Sequence, residues 1–329
     1  MRQRILLLLA LFFLLSTVIL TVTACSSKSF EVNVHEFNEE FTDISIKTDT
    51  ADILFLPSDD EVCRVSCYED KNAPHSVKVQ EGTLTVEAFE SENWFDNVGI
   101  NFGSPEIKIY LPKAEYSALA IKESTGDVEI PKDFSFNSIE ISLSTGDVRC
   151  RASAKDNIKI AASTGDIHAE GLSASSIELT VSTGMITVSN TTCDNDMTVG
   201  VSTGKAFLTD ITCRSLTSTG NTGDISLKNV ISSKNISIER STGDVRLERS
   251  EAQALFITTD TGDVTFKDSD AQELFITTDT GDVEGSLLTS KIFIAKTDTG
   301  RVDVPNSVTG GRCEITTDTG DIKITISGS

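Results

Sequence analysis

The chain has 329 residues, 38% hydrophobic and 24% charged, with 50 acidic against 28 basic side chains and a formal charge of −22. Such acidity repels phosphate and argues against nucleic acid as a partner; it also disfavours lying flat on anionic lipid. It favours a soluble monomer and leaves cation binding open.

Residues 1–24 read as a signal peptide rather than as part of the fold. Arg2 and Arg4 give a positive start, residues 5–15 are an unbroken apolar run, and Val22-Thr23-Ala24-Cys25 closes it. The ending resembles a bacterial lipobox. Cys25 is then the residue that carries acyl chains such as palmitate, and residues 25–29 form a lipidated cysteine with a short polar tether. Ordinary cleavage that leaves Cys25 unmodified is the alternative. Without the signal the chain carries −24, because residues 1–24 hold two arginines and no acid. No Pro- or Ser-rich linker divides the rest, so one elongated solenoid or two domains fit its length.

Residues 30–118 alternate irregularly. Thr48-Asp49-Thr50-Ala51-Asp52-Ile53 is a degenerate copy of the repeat described next, and residues 62–67, 77–79, 83–88 and 106–111 alternate as strands. They read as irregular coils with a cap. The segment 92–99, which holds the only tryptophan, Trp94, is expected to close the open end of the stack; gripping a sugar is the other reading.

Residues 119–329 are regular. A Thr-Gly step recurs eleven times, from Gly126 to Gly320, at intervals of 19 or 20 residues. A fixed period of this length is the signature of a solenoid. The second residue after each glycine is apolar throughout, from Val128 to Ile322, and the residues seven and five before it are mostly apolar. Between them lie polar residues such as Glu140 and Arg149. This alternation predicts at least two short strands per coil with one face inward, and the Thr-Gly step is the bend. The expected architecture is all-β, a single-stranded parallel β-helix of about 11 regular coils, roughly 50 Å long at 4.8 Å per coil. Its C-terminal strand, residues 322–326, is expected to leave an exposed edge.

An exported chain with a lipobox, early strands ending in Tyr110-Leu111-Pro112 and many Ser-Thr-Gly-Asp coils resembles the bacterial adhesin-like domain of unknown function found on cell-surface proteins. The resemblance covers residues 29–329. It implies a right-handed β-helix and no established catalytic residues.

Candidate sites are few. An Asp follows the glycine in eight of the eleven bends, and the last four begin with Asp instead of Ser or Asn. The pairs Asp260/Asp263, Asp279/Asp282 and Asp318/Asp321 could supply oxygens to Ca2+, or the aspartates could simply accept backbone N–H bonds at the turn. Asp298 stands opposite Arg301 instead. Phe256, Phe275 and Ile294 fall on the outward phase of successive coils and form a candidate partner stripe, unless a phase shift buries them. Cys193 and Cys213 occupy the same place in adjacent coils, where a disulfide and a buried thiol pair both fit. Cys150 and Cys313 read as core. His35, His75 and His168 fall in unrelated contexts, and no Cys/His cluster of zinc spacing is evident. Thr-x-Thr rows such as Thr259/Thr261 lie at the bend rather than on a flat face, which disfavours ice binding.

The expected function is that of a membrane-anchored, extracytoplasmic β-solenoid lipoprotein. It serves adhesin-like binding or a scaffold role at the cell envelope, without catalysis and without a cofactor. Its partners are the membrane, through the lipid, and an envelope protein or polysaccharide. The alternatives are a polysaccharide-active β-helix enzyme and a calcium-dependent surface binding module. Near-uniform coils leave no room for the long loops that build enzymatic clefts.

Overall fold

The computed structural model describes residues 29–88 and 105–327. The signal peptide, Cys25 and the Trp94 segment lie outside the described residues. Every regular element among those described is a strand. Like strands of successive coils pair in parallel and in register, as in Ile139↔Ile158 and Val148↔Ile167. Because a coil returns to the same phase every 19 or 20 residues, each inward position becomes a column. Val128, Val148, Ile167, Ile186, Ile225, Val245, Val264 and Ile322 are all fully buried in one of them. Burying each such side chain contributes about 1.5–3 kcal/mol, so the column is the main source of cohesion.

The middle coils also turn at a second corner six residues past the glycine. Asn190, Asp210, Asn229, Arg249 and Asp268 take positive φ there, between 47° and 56°. Asn and Asp tolerate this left-handed region better than most residues. The column is cross-linked: Asn229 Nδ2 donates to Asp210 Oδ1 at 2.7 Å, and Arg249 Nε donates to Asn229 Oδ1 at 2.9 Å.

Both ends depart from sequence order. The strand Asp43–Thr50 stacks directly on Glu115–Thr125, so Ala51 does occupy the glycine position of a first coil. Thr83–Glu87 and Glu106–Leu111 then stack in parallel on Asp43–Thr50 and Asp52–Pro57, so one irregular coil does lie ahead of it. Cys63–Asp70 runs antiparallel to both Phe30–Phe37 and Glu106–Leu111, and Ser76–Gln80 forms a hairpin with Thr83–Glu87. These antiparallel strands cover the N-terminal end.

At the other end the last coil is not outermost. Val264–Thr280 pairs with Gly311–Thr319, which in turn pairs with Lys291–Thr299. The coil of Gly320 therefore sits between those of Gly281 and Gly300. Its entry depends on Gly310 and Gly311. A Cβ on Gly310 would lie 1.9 Å from the Ser290 carbonyl oxygen, and one on Gly311 1.7 Å from that of Gln272. The exposed edge consequently belongs to Lys291–Thr299, and Val302 is 44% exposed where its counterparts are buried.

Candidate functional site

The Thr-Gly-Asp bend forms a continuous hydrogen-bonded ladder. Gly146 N–H donates to Thr164 O at 3.0 Å, and Val148 N–H to Asp166 O at 2.9 Å. The aspartate side chains add a third rail. Oδ1 of Asp127 accepts from the Asp147 amide, that of Asp147 from Asp166, and that of Asp166 from Met185, at 2.7–2.8 Å. The same rail runs through Asp224, Asp244, Asp263, Asp282 and Asp321 and ends at the Arg301 amide. It stops at Met185 and Lys205, which have no oxygen to offer.

Stacked carboxylates repel, and the cations in the bend relieve them. Lys205 Nζ lies 2.8 Å from Asp224 Oδ2, and Arg301 holds Asp321 Oδ2 at 2.7 Å. Both carboxyls sit below the usual range, chiefly because of those hydrogen bonds. Asp298 pairs with Lys296 at 2.8 Å rather than with Arg301.

The second aspartate of each candidate calcium pair, Asp263, Asp282 and Asp321, is thus engaged with backbone. Asp260, Asp279 and Asp318 point to solvent. The backbone role accounts for the aspartates without an ion. Replacing Asp244 by Ala removes the acceptor of the Asp263 amide and should cost about 1–2 kcal/mol. Asn keeps an oxygen there and should cost well under half of that. Urea unfolding of the two variants measures the difference, and equal losses would mean that charge, not acceptor geometry, matters.

The threonines three before the glycine, Thr259, Thr278 and Thr317, are buried. Thr278 and Thr317 donate to the carbonyls of Gly262 and Gly281. They brace the bend and offer no flat hydroxyl face.

The aromatic stripe is real but shorter than expected. Phe256 and Phe275 stack with centroids 5.2 Å apart and planes 8° from parallel, and Phe256 is 40% exposed. Ile294 does not continue them. The inserted coil places Glu314 between Phe275 and Ile294. It also brings the Arg312 guanidinium to 5.5 Å over the Phe275 ring, and Arg312 pairs with Glu314. The result is a partly exposed aromatic platform edged by an ion pair.

Cys193 and Cys213 are free, buried thiols, as are Cys63, Cys67, Cys150 and Cys313. Burial pushes Cys213 up to about 12. Cys193 Sγ donates to the carbonyls of Asp196 at 3.4 Å and Ser175 at 3.5 Å. Of the two readings for this pair, the thiol pair is the one the structure holds.

A shallow groove of about 390 Å³ runs across the coils of Gly146 to Gly223. It exists because the outward position four before the glycine carries Ser142, Ala161, Thr180, Gly200 and Thr219, all small.

Three buried polar arrangements were missed in the sequence. Glu123 and Thr48 face inward on neighbouring coils, at a position that the next four coils fill with Leu143, Ala162, Val181 and Val201. Glu123 Oε1 accepts from the Ala51 and Thr125 amides at 3.3 Å, whereas Glu123 Oε2 and Thr48 Oγ1 have no partner. Burial pushes the carboxyl up to about 8.

Arg240 is buried in the same column. It donates to Ser218 Oγ at 2.9 Å and to the Glu239 carbonyl at 3.3 Å, and burial holds it down at about 10. Gly220 makes the room, since a Cβ there would lie 2.3 Å from Arg240 Nη1. The period-two alternation, carried to three before the glycine, points both residues inward.

The third arrangement is Cys67, Glu69 and His75, whose ligand atoms lie within 4.8 Å of one another. It is the sole group of three or more such side chains gathered this closely among the described residues. Its signal is a Cys-x-Glu on one face of a strand, with His six residues on beyond a turn.

Stacked parallel coils, a hydrogen-bonded bend and a solvent-facing aromatic platform define a β-solenoid whose distinctive chemistry lies on its outer surface. The Toastrack DUF4097 profile matches residues 41–212 and 194–329, so the chain belongs to that family. No curated protein matches it. Among solved structures, it is similar to a candidate lipid binding protein from Parabacteroides distasonis, with 17% identity and a TM-score of 0.48 over 91% of this chain and 98% of that one. A candidate adhesin from the same species shows 11% identity and a TM-score of 0.46 over 89% and 97%. A candidate cell adhesion protein from Clostridium sporogenes shows 12% and 0.25 over 91% and 100%.

Proposed function

We propose that this protein is a lipid-anchored, extracytoplasmic solenoid that binds an envelope polysaccharide or protein and catalyses no reaction. The observation that carries the reading is the Phe256–Phe275 platform with Arg312. It is a partly exposed aromatic stack on a rod whose other described outer columns are largely polar or charged. Aromatic faces and guanidinium groups are favoured at recognition surfaces, where one side chain supplies both apolar area and a polar handle.

Anchoring rests on the signal that ends at Cys25. Two or more acyl chains hold a protein stably on a membrane, whereas one does so marginally. The uniform bends favour a non-catalytic role, because their carboxylates are committed to backbone amides. Labelling cells with radioactive palmitate tests the anchor. Label and membrane retention should follow the wild type and vanish in Cys25→Ala. Membrane retention of an unlabelled Cys25→Ala chain would refute it. Incubation with envelope glycans tests the rest, and turnover abolished by a single Asp substitution would establish an enzyme instead.

A further inference from the structure

We propose that Cys67, Glu69 and His75 form a binding site for a borderline divalent transition ion of the zinc class. Cys67 and Glu69 are two apart on Cys63–Asp70, so both project from its inward face, and both are at most 1% exposed. His75 follows the turn after Asp70 and immediately precedes the strand Ser76–Gln80. The cluster therefore joins the antiparallel cap at the point where Cys63–Asp70 gives way to the hairpin.

The donor set is a thiol sulfur, a carboxylate oxygen and an imidazole nitrogen. Zinc takes all three, and a three-residue site leaves its fourth tetrahedral position for water. Metal–ligand bonds of about 2.0–2.3 Å place tetrahedral ligand atoms roughly 3.2–3.8 Å apart. The observed span, within 4.8 Å, needs only side-chain adjustment to reach that. Calcium, which seeks six to eight oxygens, does not suit this set.

The carboxylate is already oriented. Its Oε1 accepts from Asn33 Nδ2 at 2.7 Å, and its Oε2 accepts from the His75 amide at 2.7 Å. Such outer hydrogen bonds are what fix metal ligands in place. His75 Nδ1 lies 2.6 Å from Glu69 Oε2. An ion bound at Nδ1 leaves the imidazole proton on Nε2 and displaces the Cys67 proton to solvent, since only thiolate ligates. His75 is the least buried of the three, which puts ion entry on its side. Asn33 belongs to the edge strand Phe30–Phe37, the first described element after the tether, so a bound ion would also pin that strand to the cap.

Cobalt(II) titration of the full chain in detergent tests the site. One equivalent should produce a thiolate-to-cobalt charge-transfer band and the visible bands of tetrahedral cobalt, and zinc should bleach both. Cys67→Ser should abolish the charge-transfer band, while Cys63→Ser should keep it. Asn33→Ala should weaken binding about 10-fold while leaving the band in place. Circular dichroism of each variant confirms the fold. Should His75→Ala fail to fold, His75→Gln provides the second test, with weakened visible bands expected. No band in the folded wild type, or a band that survives Cys67→Ser, would overturn the proposal and leave a buried Glu69–His75 pair with a purely structural role.

Discussion

Gly204→Ala should be among the most damaging single substitutions in the rod, costing about 4 kcal/mol or more. Two penalties coincide at this bend. The residue has φ +136°, which side chains rarely adopt, and its Cβ would lie 1.8 Å from the Gly184 carbonyl oxygen. Coils contact only their neighbours, so the neighbour cannot yield without breaking its own ladder to the next coil. Gly82→Ala is the control. It also has positive φ, at +76°, but nothing lies within 4 Å of its Cβ. It should lose only about 1–2 kcal/mol. Denaturant unfolding of the two variants separates steric closeness from backbone strain, and similar losses would refute the stacked-bend geometry.

The second large effect is a pH dependence seated at Glu123. Its carboxyl is raised from an ordinary value of 4.5 to about 8, first by burial, and the Asp49 and Asp52 charges add to this. Below about pH 4.5 the group is protonated both folded and unfolded, so it adds no slope. Between about 4.5 and about 8 the unfolded chain releases the proton while the folded chain keeps it. Stability therefore falls as pH rises through this window, and the loss is complete above about 8. A shift of this size corresponds to a few kcal/mol.

Protonation also supplies an O–H beside Thr48, whose Oγ1 otherwise lacks a partner. Glu123→Gln is neutral at every pH and keeps the oxygen that accepts from the Ala51 and Thr125 amides. It should remove most of the decline between pH 5 and 8 and be the more stable protein at pH 8. Hydrogen exchange of those two amides reads the effect locally. A wild type and a Gln variant with parallel pH profiles would contradict it.

The regular part of this fold was legible because its period converts each inward residue into a column. Val128 to Ile322 could be placed in the core from spacing alone, apart from Val302 at the outermost coil. The aspartate rail was also foreshadowed, since Asp at a turn commonly accepts backbone N–H bonds. The order of the coils was not legible. Every coil offers nearly the same edge, so sequence spacing cannot say which neighbour a coil chooses. Gly310-Gly311 decides it, because two adjacent residues without side chains let the last coil slip between the coils of Gly281 and Gly300. The same insertion ends the aromatic stripe at Phe275, as Glu314 intervenes before Ile294.

The N-terminal cap was partly hidden for a related reason. Period-two alternation identifies a strand without giving its direction, so residues 63–70 read as a coil although they run antiparallel. Cys67, Glu69 and His75 escaped notice because two of them alternate along a strand and the third lies across a turn, a spacing unlike the compact motifs of zinc sites.

Recognition by the aromatic platform is the central proposal for this solenoid. The most direct measurement is co-sedimentation of the purified chain with insoluble envelope polysaccharide and with intact envelopes, for the wild type and for Phe256→Glu/Phe275→Glu. The wild type should sediment with one of these materials. The double variant, with an unchanged circular dichroism spectrum and melting temperature, should lose binding by at least about 10-fold, the equivalent of 1.4 kcal/mol. A folded double variant that binds as well as the wild type would contradict the account, as would a wild type that binds neither material.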